Sequence, residues 1–270
     1  QLGQPSAINL VELGPGRATL MADMLRAASM VPSFSEAIAV HLVEISPALR
    51  AVQAEVLASH KPEWHDNDTT LPAGPLIIIA NEFFDALPIR QFERRESFWH
   101  ERLVGLAEDG QLCYVLSPSQ STNPMVPDSH KNAPDGTIVE VCLAASNIVA
   151  RLADAIGQYG GGALIIDYGH DGRHAGVTFQ GVKDHRFHPP LKRPGDADLT
   201  AHVDFGALST AANTVYTKTY GPMAQGAFLQ TLGIRERADT LMKKADAALR
   251  DEIRSALVRL TSAEEMGTLF

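Results

Sequence analysis

Residues 8–13, 40–45, 76–80 and 163–168 are short apolar runs, "INLVEL", "VHLVEI", "LIIIA" and "ALIIDY", and helical patterns lie between them. The first three stand about thirty residues apart. Strands this uniformly apolar have no polar face to turn to water. Both faces must therefore be covered, which is the environment of a parallel sheet with helices on each side. Helical periodicity is expected at 19–28, at 46–59 and at about 140–159. Ser46 is placed to cap the second of these helices, with Pro47 in its first turn.

Two regions break the rhythm. Residues 89–117 read as three alternating strands, "IRQFER", "FWHERLVGL" and "QLCYVL", joined by polar turns, which predicts an inserted antiparallel meander. Residues 169–202 are rich in Gly, Pro and His and predict a long ordered loop on the ligand side. Helices are expected at 205–212, 224–232, 235–244 and 247–260. Residues 215–220 and 266–270 suit a closing antiparallel strand pair, with the helices of 222–262 inserted before the last strand. The segment 64–70, "WHDNDTT", reads as a polar loop.

Of 270 residues, 45% are hydrophobic and 20% charged, an ordinary globular composition, and the formal charge is −9. That balance opposes grip on a nucleic-acid backbone and suits a cationic partner. Two cysteines in unrelated contexts, Cys113 and Cys142, give no disulfide framework and fit a reducing compartment. No apolar run reaches membrane-spanning length and no signal-peptide pattern is visible.

"NLVELGPGRATL" sets Gly14 and Gly16 between a strand and a helix, where a ligand can approach backbone N–H groups at the helix N-terminus. The third small position is Ala18. Glu12, just before the glycines, would repel a pyrophosphate but attract an amino group. Glu44, followed by Ile45, ends the next strand, where a carboxylate can accept both hydroxyls of a ribose. Together they favour S-adenosylmethionine over NAD. Asp66 lies where an adenine amino group would be met.

The stretch "PLIIIANEFFDALP" delivers Asn81, Glu82 and Asp85 at the carboxyl end of a buried strand, where such sheets hold ligands. Asn81 falls beside the cofactor. A base-amino methyltransferase would have prolines where Glu82 and Phe83 stand. A guanidinium fits better: it is planar, always charged, and met by carboxylates in bidentate fashion. Glu82 is the expected clamp, and Asp85 its support or proton acceptor. Phe83 and Phe84 read as core, with stacking on a guanidinium the alternative.

"LVELGPGRATLMADML", "HLVEISPALR", "ANEFFDALPIRQF", "LIIDYGH" and "PGDADLTAHVDF", in this order, resemble the MidA-type family of mitochondrial complex I assembly methyltransferases and their bacterial relatives. The resemblance runs on to "GPMAQGAFLQTLGI" and "MGTLF" and so spans nearly the whole chain. It implies a single α/β domain over 1–270, a class I S-adenosylmethionine-dependent methyltransferase with a Rossmann-like seven-stranded sheet. It further implies protein arginine N-methylation, a protein substrate such as a complex I subunit, and a mitochondrial matrix or bacterial cytoplasmic setting. No nucleic acid, membrane insertion or metal is implied. By this likeness Glu12, Gly14, Gly16 and Glu44 line the cofactor site, and Glu82 and Asp85 the reacting end. The family usually has Gly where this chain has Ala18. It also carries an N-terminal segment with a Gly-Asp-Phe-Thr-type motif upstream of this sequence's first strand.

Asp167 and Tyr168 end a strand on the ligand-facing edge and are expected to line the substrate. Asp167, His170 and His174 could be mistaken for metal ligands, but methyl transfer to nitrogen needs none. Thr200 or Asp204 suits a helix cap. Larger-family arginine methyltransferases brace the arginine site with a Thr-His pair near this point, so His202 is a candidate brace. Arg193, His185 and His188 lie in the loop with no assignable role. Two other readings stand beside the enzyme. One is a non-catalytic assembly factor that binds the cofactor for stability, disfavoured by the Glu12, Glu44 and Glu82 constellation. The other is an NAD enzyme, disfavoured by Glu12.

Overall fold

The structure, a computed structural model, describes residues 3–118, 125–184, 186–213 and 217–268. In chain order its elements are β1 (Ile8–Leu13), α1 (Thr19–Ala28), α2 (Pro32–Ala37), β2 (Ile38–Val43), α3 (Pro47–Val56), β3 (Glu63–His65), β4 (Leu76–Asn81), β5 (Arg90–Arg95), β6 (Phe98–Leu106), β7 (Leu112–Leu116), β8 (Ile138–Val141) and α4 (Leu143–Tyr159). They continue with β9 (Gly161–Ile166), β10 (Gly169–His170), β11 (Gln180–Lys183), β12 (Arg186–His188), β13 (Asp198–Thr200), β14 (Val203–Asp204), α5 (Phe205–Asn213), α6 (Gln225–Thr231), α7 (Ile234–Met242) and α8 (Ala247–Thr261). The chain packs as two compact units, Gln1–Thr219 and Tyr220–Phe270.

The first unit is built on a parallel sheet in the order β3-β2-β1-β4-β9. Alternate side chains divide its core. Val11 and Leu13 of β1 join Leu76, Ile78 and Ala80 of β4 against α4 and α5. Leu10 joins Val40 and Leu42 of β2 against Met21 and Leu25 of α1. The order reverses at β1, which lies between β2 and β4, so a crevice opens outside their carboxyl ends. The resemblance implied seven strands; five form this sheet among the described residues.

Several expectations change. The segment 64–70 contributes an edge strand, because the β3 residues pair with His41, Leu42 and Val43. Residues 138–141, expected near the start of a helix, are a strand instead. Its alternating "IVEV" pairs antiparallel with β5 and makes the meander a four-stranded sheet, β7-β6-β5-β8, closed over Phe92, Trp99 and Val139. The expected loop at 169–202 holds short strands, β11 pairing with β12 and β13, and β10 with β14. Residues 217–220 and 266–268 carry no strand. The remainder of that expected pair, 215, 216, 269 and 270, lies outside the described residues, as does His185.

In the second unit, Asp246 caps α8 by accepting the Leu249 N–H at 2.9 Å. The Gly226 N–H donates to the Gly267 carbonyl at 2.9 Å. A Cβ on Gly226 would lie 2.6 Å from the Thr261 oxygen, so only glycine allows that approach. Among the described residues no helix is long and apolar enough to cross a membrane.

Candidate active site

The turn after β1 needs its glycines. Gly14 and Gly16 have φ of 60° and 51°, left-handed values that cost a side chain strain. A Cβ on Gly14 would meet the Phe83 ring at 2.8 Å, whereas one on Gly16 would meet nothing within 4 Å. Gly14 is thus packed from behind and Gly16 faces open space. Ala18 accepts φ 60° in a fully buried position.

Glu12 shares the Leu10 face of β1, beneath the start of α1, and is 3% exposed. Burial pushes its carboxyl up to about 7, partly offset by a hydrogen bond from the Met21 backbone N–H. Its Oε2 is buried without a partner. An unsatisfied acceptor under a glycine turn is a place for a ligand donor such as an ammonium.

Glu44 follows β2. Its Oε1 accepts the Ser46 N–H at 2.8 Å, and its Oε2 accepts the Gln53 amide at 3.3 Å. The same amide nitrogen donates to the Gly16 carbonyl at 2.8 Å, and the Trp64 indole N–H donates to Gln53 Oε1 at 2.8 Å. Gln53 is 0% exposed and spends both donors and its acceptor on these bonds. It couples the glycine turn to the Glu44 carboxylate. Sequence reading missed it, because a glutamine inside an amphipathic helix carries no local mark of a partner 37 residues away. Ser46 caps α3 as expected, accepting the Leu49 N–H. Arg50, also missed, donates to the Glu44 carbonyl at 2.7 Å and pairs with Asp66 at 2.7 Å. That pair brings Asp66 beside Glu44, with its side chain 81% exposed. Ile45 is 77% exposed, an apolar surface next to Glu44.

Asn81 ends β4 opposite Ile166 of β9. Glu82 then takes a left-handed φ of 48° while its N–H donates to the Ile166 carbonyl at 2.9 Å. A glutamate in this conformation stores strain that the surroundings must hold in place. Asp167, 1% exposed, does much of the holding. Its Oδ2 accepts the Phe84 and Asp85 N–H groups at 3.0 and 3.2 Å, and its Oδ1 accepts the Tyr168 N–H at 2.9 Å. Asp167, expected to line the substrate, has three backbone donors on its oxygens and seals the Glu82–Asp85 turn from behind. Burial, and then the Asp85 charge, push its carboxyl up to about 7.

Phe84 is core, as expected. Phe83 stands edge-on to it, with ring centroids 5.1 Å apart, and rests on Gly14, so it joins the acidic turn to the glycine turn. Asp85 is buried, and its carboxyl is raised first by burial and then by the Glu82 charge. Tyr168 lies in the field of the same acids: burial and then Glu82, Asp85 and Asp167 raise its hydroxyl. Residues 201–203 are strapped alongside, the Ala201 N–H on the Asp85 carbonyl at 3.0 Å and the Val203 N–H on the Tyr168 carbonyl at 2.8 Å. His202 between them donates its backbone N–H to Thr178 Oγ1 at 2.8 Å. Burial and then His174 lower its ring's proton affinity, and Glu140 opposes this. Asp204 caps α5 through the Ala207 N–H.

A parallel sheet with its switch point at β1, a glycine turn over an orphaned carboxylate, and a second carboxylate at the end of β2 define a nucleoside-binding α/β enzyme. Comparison with known proteins sharpens this. Residues 1–223 match the family described as "Putative S-adenosyl-L-methionine-dependent methyltransferase". The chain is 38% identical over 295 residues to the mitochondrial protein arginine methyltransferase NDUFAF7 of Danio rerio, covering 99% of this chain and 68% of that protein. It is 35% identical to the protein of the same name from Homo sapiens, covering 99% and 66%. A superfamily member from Burkholderia thailandensis, crystallised with S-adenosyl-homocysteine, superposes with a TM-score of 0.82 at 25% identity, covering 99% of this chain and 71% of that one. The chain belongs to this family of S-adenosylmethionine-dependent methyltransferases. Its residues fit that cofactor: Glu12 Oε2 lacks a donor, Gly16 faces open space, and Glu44 stands beside the apolar Ile45.

Proposed function

We propose that this chain is a protein arginine N-methyltransferase whose guanidinium site is formed by Glu82 and Asp85. The observation that carries the reading is the contact of Phe83 with Gly14, which sets the acidic turn against the turn meant for the cofactor. The names of the NDUFAF7 relatives support the same substrate class. By the resemblance, the arginine would belong to a respiratory complex I subunit or a similar protein.

S-adenosylmethionine, when bound, supplies an electrophilic methyl group. The chain supplies position and charge. Glu12 would receive the amino group, the Gly14–Gly16 backbone the close approach, Glu44 the ribose hydroxyls, and Ile45 with Asp66 the adenine side. Exposed Glu82 would grip two guanidinium N–H groups and hold the positive charge away from the attacking nitrogen. That nitrogen loses a proton as it gains the methyl. Asp85, whose proton affinity is raised by burial and by Glu82, is suited to take it up. No covalent intermediate is needed, because orientation and charge complementarity lower the barrier.

Incubation of a protein extract with the enzyme and isotope-labelled S-adenosylmethionine, followed by tandem mass spectrometry, tests the substrate class. Label confined to arginine guanidine nitrogens is the expected result. Label on lysine, or none on any protein, would overturn the reading.

A further inference from the structure

The face of the sheet opposite Trp64 holds three side chains that no step above uses. His41 of β2 stands directly opposite Glu63 of β3, and His65 is two residues further along the same face. His41 Nδ1 and His65 Nε2 are 3.1 Å apart, and Glu63 Oε2 is 3.8 Å from His41 Nδ1. One donor atom from each of the three lies within 4.8 Å of the others. Two nitrogens on a tetrahedral zinc ion stand about 3.3 Å apart, given Zn–N bonds of about 2.0–2.1 Å. We propose that His41, Glu63 and His65 form a site for a divalent transition-metal ion of zinc-like preference, with water in the fourth position.

Two further observations bear on it. The Thr70 hydroxyl is 3.0 Å from His65 Nδ1 and directs its own proton to the Asn67 carbonyl. The hydroxyl oxygen is therefore an acceptor for His65 Nδ1–H, which leaves the lone pair of Nε2 aimed at the cluster. Orientation of a ligating histidine through its other nitrogen is the usual support of a metal site. His41, in addition, is buried with Nδ1 turned to both His65 and Glu63, so an ion could replace the histidine–histidine hydrogen bond without moving the ring. Glu63, 69% exposed, gives the ion a route in and can shift to close the coordination. The ion would pin edge strand β3 to β2 near the cofactor end, where the Glu44 N–H already donates to the His65 carbonyl at 3.1 Å.

The proposal stands apart from the methyl-transfer reading, and metal binding alone tests it. The full chain, freed of metal by a chelator, is titrated calorimetrically with Zn²⁺, and Co²⁺ serves as an optical probe. The expected result is one ion per chain, a tetrahedral cobalt band, and loss of both in His65→Ala. Glu63→Gln, a change at an exposed side chain that leaves the fold intact, is expected to weaken binding about 10-fold or more, and Thr70→Val about 10–100-fold. Circular dichroism checks each variant; if His65→Ala unfolds, Glu63→Gln decides. Absence of zinc binding in the wild type overturns the site. So does zinc binding that Glu63→Gln and Thr70→Val leave unchanged, which would put the ion elsewhere on the chain.

Discussion

Glu12 and Asp167 hold their protons up to about pH 7, and in both the first cause is burial. Their pKa values are raised on folding, from 4.5 and 3.8, so between those values and about 7 the folded chain binds more protons than the unfolded one. The contribution of these two groups to stability is therefore fully present below the unfolded values and is lost as pH rises through about 7. For Glu12 the loss is at most about 3 kcal/mol. Urea midpoints are expected to fall between about pH 5 and about pH 8, and Glu12→Gln to remove part of that fall. Since an ammonium needs the ionised carboxylate, affinity for S-adenosylhomocysteine should rise over the same window in the wild type and stay flat in Glu12→Gln. The placement of the acids was legible where position along a strand decides it: Glu12, Glu44, Glu82 and Asp85 all emerge at the sheet's carboxyl end. Asp167 emerges there too, but its role depends on three N–H groups, two of them more than 80 residues away, and no local pattern carries that.

Two turns and one helix tie the site together at the scale of elements. Gly14→Val would add both a strained φ and a clash with Phe83, and calorimetry is expected to show no S-adenosylhomocysteine binding in that variant. Gln53→Leu would strand the Trp64 N–H and leave Gly16 and Glu44 without their shared donor. It should cost about 1–3 kcal/mol for each buried group left unpaired. Cofactor affinity should fall with it, measurable by urea titration and calorimetry on one preparation. The helix α3 was readable from Ser46 and Pro47, because capping is local chemistry. Strand β8 was not: "IVEV" runs into a helical pattern, and only pairing with β5 makes it a strand. The short strands of 180–200 were hidden for the same reason, since two to four residues are too few to show a period.

The whole chain's architecture was legible in outline because uniformly apolar strands separated by helices leave few topologies open. The count of strands in the main sheet was less so: the resemblance implied seven, and five are seen among the described residues. Saturation with S-adenosylhomocysteine at about 100 times its Kd is expected to stabilise the nucleoside-binding unit by about 2.7 kcal/mol. For a unit of this size that is a Tm increase of about 5–10 °C. NADH should give none, and an equal shift with NADH would count against the Glu12 argument. The central claim, that Glu82 grips the reacting guanidinium, is tested most directly by a single comparison. Methyl transfer to an arginine substrate and binding of S-adenosylhomocysteine are measured side by side for the wild type and Glu82→Gln. The account predicts a kcat lower by about 10²–10³-fold with the Kd unchanged. Wild-type turnover in Glu82→Gln would contradict it.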